Sequence, residues 1–235
     1  MKITMFMALI IITVLFTSCE NNNSDDNASF TIKNAKIYSI DKEYKGNGTV
    51  YASYSLGNND YDDDSYDGFP IGNVRSGKLN ITLKTPDISK GGTFVEYFDG
   101  IIPDGITISD ETAKVFGGGW IVVEESGEYN DLLFCNIPNI NIYPYPNRMD
   151  RIEYWYFERD VTVSGSFSLS IFHDLMKFHN SFSIDGKAGW NKIYIRQDMR
   201  VVNDEYEISI TYTTDLSDVP NNLVWFIDEN EYEDE

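Results

Sequence analysis

Apolar and polar residues alternate along short segments of this chain, and this period of two constrains its fold more than any other feature. Val50, Ala52, Tyr54 and Leu56 alternate with hydroxyl-bearing residues. The segment 79–83 shows the same alternation directly after a Ser-Gly-Lys turn. Successive side chains of a strand point to opposite faces of its sheet. The alternation therefore predicts strands that are buried on one face.

Further strands are predicted along most of the chain. They are Phe30–Ile40, Val115–Glu124, Leu132–Ile137, Ile152–Val163, Lys192–Gln197, Tyr206–Thr213 and Leu223–Ile227. Residues 125–128 and 203–205 are rich in turn-forming residues and predict hairpin connections. Three consecutive glycines at 117–119 predict a bulge or sharp bend. Only Leu169–Asn180 is read as a short helix.

Many short strands without a βαβ rhythm predict an all-β fold, and we expect an antiparallel β-sandwich of immunoglobulin-like or related type. Pro138, Pro144 and Pro146 interrupt the middle of the chain. Residues 28–227 therefore form either one sandwich with a long crossover or two packed sandwiches divided near 138–147. The acidic block 228–235 is expected to be a solvated tail.

The N-terminus carries the pattern of a secretory signal. Lys2 precedes an uninterrupted apolar run, Met5–Phe16, which is shorter than the roughly 20 residues that span a bilayer. The run ends at Phe16-Thr17-Ser18-Cys19, which resembles the lipobox of bacterial lipoproteins, although that family prefers Leu where this chain has Phe16. The resemblance implies that residues 1–18 are a cleaved signal and that Cys19 is lipidated, so that the lipid holds the protein on a membrane. The alternative is an ordinary signal peptide that ends near a cysteine.

Residues 19–27 contain almost no apolar side chain after Cys19 and are expected to be a flexible acidic tether. Within the tether, Ser24-Asp25-Asp26 resembles the short acidic export signal of surface lipoproteins from Bacteroidetes. That resemblance implies a location on the outer membrane, facing the cell exterior. A plain polar spacer is the alternative interpretation.

Two further segments are similar to a pattern in uncharacterised lipoproteins of Bacteroidetes and spirochaetes. They are Tyr154–Gly165 and Ala188–Tyr194, and the turn and strand at Ser76–Leu83 also look like a segment of those proteins. The resemblance implies a fold and a location, and it implies no activity.

Composition limits the partners. The formal net charge is −20, from 18 basic and 38 acidic residues, and such a balance repels phosphate backbones. Nucleic acid is therefore excluded as an expected partner. With Cys19 assigned to lipid, Cys135 has no cysteine with which to form an intrachain disulfide, and its apolar neighbours indicate a buried thiol.

An acidic loop resembles the first half of a calcium site. Asp63, Ser65 and Asp67 supply oxygen atoms at positions 1, 3 and 5, and a glycine follows for the sharp turn. Asp60 and Asp62 would add further oxygen ligands. Position 12 is Val74, where a bidentate Glu is required, so a solvated acidic turn is the alternative. No other cofactor is expected.

Aromatic residues are concentrated in one predicted strand. Tyr154 and Tyr156 should point to one face, and Trp155 and Phe157 to the other. An exposed pair would stack on sugar rings, whereas cross-strand packing in the core explains the same residues.

No catalytic motif is recognisable. His173 and His179 are the only histidines and lie six residues apart, which is too few ligands for zinc. The sequence also lacks a GxSxG elbow and a phosphate-binding glycine loop. We therefore expect a surface lipoprotein that binds a glycan, an envelope protein or a host protein. The alternatives are a structural envelope component and a carboxylate-dependent glycoside hydrolase.

Overall fold

The computed structural model describes residues 29–39, 42–53, 68–98, 100–117, 121–136, 148–171, 175–202 and 205–228. Sixteen strands make up most of this part of the chain, and the all-β class is confirmed. Their bounds are β1 Phe30–Ser39, β2 Lys42–Glu43, β3 Gly48–Ser53, β4 Gly68–Arg75, β5 Lys78–Leu83, β6 Gly92–Thr93, β7 Ile106–Ile108, β8 Lys114–Gly117, β9 Ile121–Glu125, β10 Glu128–Cys135, β11 Arg148–Phe157, β12 Val161–Ile171, β13 Met176–Gly186, β14 Gly189–Val202, β15 Glu205–Thr213 and β16 Val224–Asp228. A 3₁₀ turn, Ile88–Lys90, and a helix of one turn, α1 Phe94–Tyr97, complete the described elements.

Seven strands form a closed barrel. The order around the barrel is β16-β1-β5-β4-β3-β9-β10, and the pairing of β10 with β16 closes the ring. Trp225 of β16 lies opposite Ile37 of β1 on one side and opposite Phe134 of β10 on the other. The β1–β16 pair is parallel and the other six pairs are antiparallel. Buried side chains from all seven strands fill the barrel core.

The prediction of an antiparallel β-sandwich, immunoglobulin-like or otherwise, is wrong. A closed barrel with additional strands outside it replaces the sandwich, and it also replaces the alternative of two packed sandwiches. The period of two predicts which face of a strand is buried, but a barrel and a sandwich use the same alternation. The fold is decided by β16, a C-terminal strand that inserts between β1 and β10. No local pattern encodes this pairing, because its partners lie far apart in the sequence.

β2 pairs with β1 outside the ring, and the other strands form an open sheet that continues from the barrel through β11. The order is β11-β14-β15-β13-β12-β7, and β8 and β6 extend it from the other edge of β11. One face of this sheet forms a second core with α1. A capping box fixes the start of α1, since Glu96 N donates to Thr93 Oγ1 at 3.2 Å while the Thr93 amide donates to the Glu96 carboxylate. The cap places Phe94 in this second core, where it is fully buried.

Several predicted elements have different bounds in the structure. The helix predicted at 169–180 is wrong, because the described residues there belong to the hairpin strands β12 and β13. The single strands predicted at 115–124 and 152–163 are each two strands in the structure. Gly117, at the predicted bend, adopts φ +82°, and a Cβ atom there would lie 2.4 Å from the Tyr154 carbonyl oxygen. Only glycine fits this position without strain.

Candidate functional site

A cleft lies where the barrel and the open sheet separate along β11. On one edge of β11, β10 pairs with Arg151 and Ile152, and β8 pairs from Trp155 onward. Glu153 and Tyr154 lie between these two ladders, where the neighbour of β11 changes from β10 to β8. The cleft opens at this fork, and Gly117 lies beside it at the end of β8. The site therefore results from the topology, because two strands diverge from a third.

Aromatic side chains form one wall of the cleft. Trp225 stacks on Phe134, with ring centroids 5.1 Å apart, and on Tyr154, with centroids 6.3 Å apart and planes 7° apart. Trp190 is half-buried, and its indole Nε1 donates to the Lys84 carbonyl at 3.0 Å. Its walls are thus rigid aromatic surfaces that come from four separate strands.

A buried ion pair lies beside the cleft, on the face of β11 that carries Trp155 and not on the face that carries Tyr154. Arg151 Nε donates to Glu153 Oε1 at 2.7 Å, and Trp155 Nε1 donates to Glu153 Oε2 at 2.9 Å. The side chains of Arg151 and Glu153 are 22% and 6% exposed. Burial alone would lower the pKa of Arg151, but the Glu153 carboxylate outweighs it and the pKa is raised. Arg151 therefore stays charged in a largely apolar setting.

Two tyrosines lie near this ion pair within the second core. The hydroxyl groups of Tyr97 of α1 and Tyr212 of β15 are close enough to influence each other's pKa. Burial raises the pKa of both phenols, and the charge of Glu153 raises both further. Each phenol is therefore neutral and remains a hydrogen-bond donor. The short helix α1 thus contributes a tyrosine to the surroundings of the ion pair.

The opposite face of β11 carries a second carboxylate, Asp150. Its side chain accepts hydrogen bonds from Arg148 Nε at 3.0 Å and from Tyr194 Oη at 2.5 Å. Arg196 and Asn136 complete its surroundings. Burial alone would raise the pKa of Asp150, but the tyrosine hydroxyl and the arginines outweigh it and the pKa is lowered. Asp150 does not line the cleft, and its contacts fix β11 against β14.

The aromatic residues predicted as ligand-stacking lie in β11 and alternate between its faces as expected. The four side chains are nevertheless buried: Tyr154 is 7% exposed, Trp155 1%, Tyr156 8% and Phe157 0%. Trp155 and Phe157 pack in the second core, and Tyr154 packs against the barrel. Packing in the core therefore accounts for Trp155, Tyr156 and Phe157, and the exposed aromatic strip does not form. Tyr154 alone also lines the cleft.

The other predicted sites fall largely outside the described residues. Cys19 lies there, as do the candidate calcium ligands, which are Asp60, Asp62, Asp63, Ser65 and Asp67. His173 is also outside, whereas His179 is described and its Nδ1 is hydrogen-bonded to Ser168 Oγ at 2.7 Å. Within the described ranges, no group of three or more His, Cys, Asp or Glu side chains is placed to hold a metal ion. The prediction that Cys135 is buried is confirmed.

Several cleft residues carry a signal that the sequence interpretation missed. Arg151 and Glu153 are two positions apart in a strand, so they share a face with Trp155. Opposite charges next to a tryptophan in an otherwise apolar strand indicate a buried ion pair. Trp190 and Trp225 carry no comparable signal, because the fold alone brings them to the same cleft.

No helix among the described residues has both the length and the apolar character needed to cross a membrane.

Comparison with protein-family models, with curated proteins and with solved structures found no significant match to this chain.

Proposed function

We propose that this protein is a lipid-anchored binding protein of the outer cell surface, and that its cleft binds a neutral saccharide. The observation that carries the proposal is a cleft whose walls are aromatic side chains from four strands, Phe134, Tyr154, Trp190 and Trp225. Ligand sites are typically apolar and aromatic, with a few fixed polar groups that orient the ligand.

The aromatic walls match the apolar face of a sugar ring. The C–H face of the ring would pack on Trp190, whose indole is already held by its bond to Lys84. The Glu153 carboxylate points to the other face of β11, where Arg151 and Trp155 bind it, so it does not contact the ligand. The fold positions the aromatic walls before a ligand binds.

Charge and the set of carboxylates favour binding of a neutral ligand without hydrolysis. The net charge of −20 opposes acidic polysaccharides. Glycoside hydrolysis requires two carboxyl groups on either side of the scissile bond. Glu153 is the one acid among the described residues that line the cleft. We therefore propose a binding module in place of the hydrolase and the structural alternatives.

Affinity electrophoresis through gels that contain neutral polysaccharides tests the binding proposal. We expect at least one polysaccharide to retard the chain, and Trp190→Ala to weaken that retardation about tenfold, or about 1.4 kcal/mol. Trp190→Phe should keep part of it, because an aromatic face remains. Tyr129→Ala is the matched control, since Tyr129 is an exposed aromatic residue outside the cleft. Equal retardation of wild type and Trp190→Ala, or none with any polysaccharide, would refute the proposal.

The location has a separate test. Cys19→Ala should release the protein from membranes in soluble form, and protease added to whole cells should digest the wild-type chain. A Cys19→Ala chain that still sediments with membranes contradicts the lipid anchor. Wild-type protein that survives protease on intact cells contradicts display on the outer surface.

A further inference from the structure

Part of the outer edge of β12 has no neighbouring strand among the described residues. β7 pairs only with Val163–Gly165, and one more bond follows, from Ser166 N to Gly105 O at 3.2 Å. Gly165 lies opposite the first residue of β7 and adopts φ +114°, and a Cβ there would lie 1.9 Å from the Gly105 oxygen. On the side of β12 away from β13, no described strand pairs with residues 167–171. Most of these residues are solvent-exposed.

This edge lacks the usual protection against strand addition. Natural proteins protect free edges with Lys, Pro, inward-pointing charges or a covering element. The segment Val161–Ile171 reads VTVSGSFSLSI and contains no charged residue and no proline. On a chain with net charge −20, an uncharged strand of this length is unusual. The edge is thus suited to pair with another strand.

The sheet behind this edge presents an apolar face. Two rows of side chains cross four neighbouring strands in register, one row through Leu169 and one through Ile171. The first row is Leu169, Phe178, Ile208 and Met199, and the second is Ile171, Met176, Tyr206 and Val201. Leu169, Tyr206 and Val201 are among the large apolar residues that remain exposed. A strand added at β12 would extend both rows.

The backbone groups available at this edge are defined by the pairing that precedes it. Ser166 N points outward, because it donates to Gly105. In an antiparallel ladder, outward groups recur at every second residue. The N–H and C=O groups of Ser168 and Ser170 therefore also point away from β13. They are the donors and acceptors that an added strand would satisfy.

We propose that the added strand is β12 of a second copy of this chain, paired antiparallel about a twofold axis at Leu169. In this register Ser168 exchanges hydrogen bonds with Ser170 of the second copy. Leu169 then lies opposite its own counterpart, and Phe167 lies opposite Ile171 of the second copy. The segment is self-complementary, because apolar residues meet apolar residues on one face and serines meet serines on the other.

Charge favours a second copy at this edge over any other part of the described surface. Two chains of net charge −20 repel each other, so association is least opposed where neither chain carries charge. A twofold dimer also requires that one patch match itself, and β12 does so. β12 contributes no residue to the cleft, so this inference is independent of the proposed saccharide binding.

Disulfide trapping in the full-length, membrane-associated chain tests the twofold axis. Residues that face each other in a non-hydrogen-bonded pair have Cα atoms about 4.5 Å apart, which is within the range that a disulfide bridges. Leu169→Cys should therefore form a cross-linked dimer on mild oxidation. Leu216→Cys is the matched control, because Leu216 and Leu169 are both 39% exposed. Ser168→Cys tests the register. Ser168 of one copy would lie opposite Ser170 of the other copy, so the two introduced cysteines would be two residues apart, and this variant should cross-link less than Leu169→Cys.

The wild-type chain, with Cys19 and the buried Cys135, sets the baseline. Sedimentation of the detergent-purified chain should show a dimer that Leu169→Lys weakens at least about tenfold, because two like charges would lie opposite each other. The proposal is overturned if the wild type sediments as a monomer, or if Leu216→Cys or Ser168→Cys cross-links as well as Leu169→Cys. Cross-linking of Leu169→Cys to a different protein would also overturn it, because the edge would then serve another partner.

Discussion

The barrel and the open sheet are both built from strands with alternating side chains, but they differ in what happens at their edges. In the barrel, β16 joins β1 to β10, and every strand of the ring has a neighbour on both sides. In the open sheet, the part of β12 after Ser166 has no neighbouring strand on its outer edge among the described residues. The second core, on one face of the open sheet, is covered by the one-turn helix α1. Closure therefore stabilises one half of the molecule, and local packing stabilises the other.

This difference indicates where function can develop. A closed barrel has no unpaired backbone groups around its ring, so it offers a rigid support and few binding surfaces. The candidate cleft lies where the open sheet leaves the barrel, and the candidate association edge lies at the far side of the same sheet. Both candidate sites therefore lie along strand edges of the open sheet. The stability of the open sheet should therefore depend on fewer side chains than the stability of the barrel.

The largest expected effect is that of Phe94→Ala. Phe94 is fully buried in the second core, where it packs on Trp155 and Phe157, so its removal should cost about 4 kcal/mol of unfolding free energy. Amides of β12–β15 should then lose hydrogen-exchange protection before those of the barrel. Leu79→Ala, at a fully buried barrel position, is the control and should instead reduce the hydrogen-exchange protection of the barrel strands. Equal loss of protection in both halves after Phe94→Ala would show that they unfold as one unit.

Glu153→Gln tests the junction between the two halves. The substitution keeps an acceptor for Trp155 but leaves the Arg151 guanidinium largely buried without its counter-ion, and we expect a loss of about 3 kcal/mol. Thermal denaturation measures this loss. Glu158→Gln is the control, because Glu158 forms a more exposed ion pair with Arg159 and its loss should cost under about 1 kcal/mol.

A double variant, Arg151→Met with Glu153→Leu, tests whether the fold requires the ion pair. Replacing both members of a buried ion pair by apolar residues is often neutral. We therefore expect most of the stability that Glu153→Gln loses to return in the double variant, as measured by thermal denaturation. A double variant as unstable as Glu153→Gln would show that the ion pair itself is required by the fold.

The sequence predicted the positions of most strands, because each strand carries its own alternation. It predicted that Tyr154 and Trp155 point to opposite faces, and the structure agrees. The closure by β16 and the cleft were not predictable. The cleft combines Trp190, Trp225 and Glu153 from three strands, and nothing local to any of these residues specifies the others.

The wrong prediction of a helix at 169–180, where β12 and β13 lie, has a different cause. Residues 169–180 carry apolar side chains at spacings that a short helix and a strand hairpin share. β13 pairs with β15 at eight positions, and this parallel, non-local pairing stabilises the hairpin over a helix. A tertiary contact thus overrides an ambiguous local pattern.

The smallest expected effect concerns Asp150, on the face of β11 opposite Glu153. Its pKa in the folded protein is lowered from the ordinary value of 3.8. The folded state therefore binds the proton less readily than the unfolded state, and Asp150 contributes stability above about pH 4 that is lost as the pH falls further. Asp150→Asn should cost about 2 kcal/mol at pH 7, because it removes charge-assisted bonds to partly exposed arginines.

The difference between wild type and Asp150→Asn should shrink on acidification below pH 4, and urea denaturation measured at a series of pH values would show it. A difference that stays constant from pH 7 to pH 3 would mean that the charge of Asp150 adds nothing to its hydrogen bonds. Because Asp150 ties β11 to β14 without lining the cleft, Asp150→Asn should leave saccharide retardation unchanged. Glu153→Gln should also leave the retardation of the folded protein unchanged, because Glu153 points to the face of β11 opposite Trp190. The two carboxylates, three residues apart on one strand, would then affect stability alone, and Trp190 would affect binding.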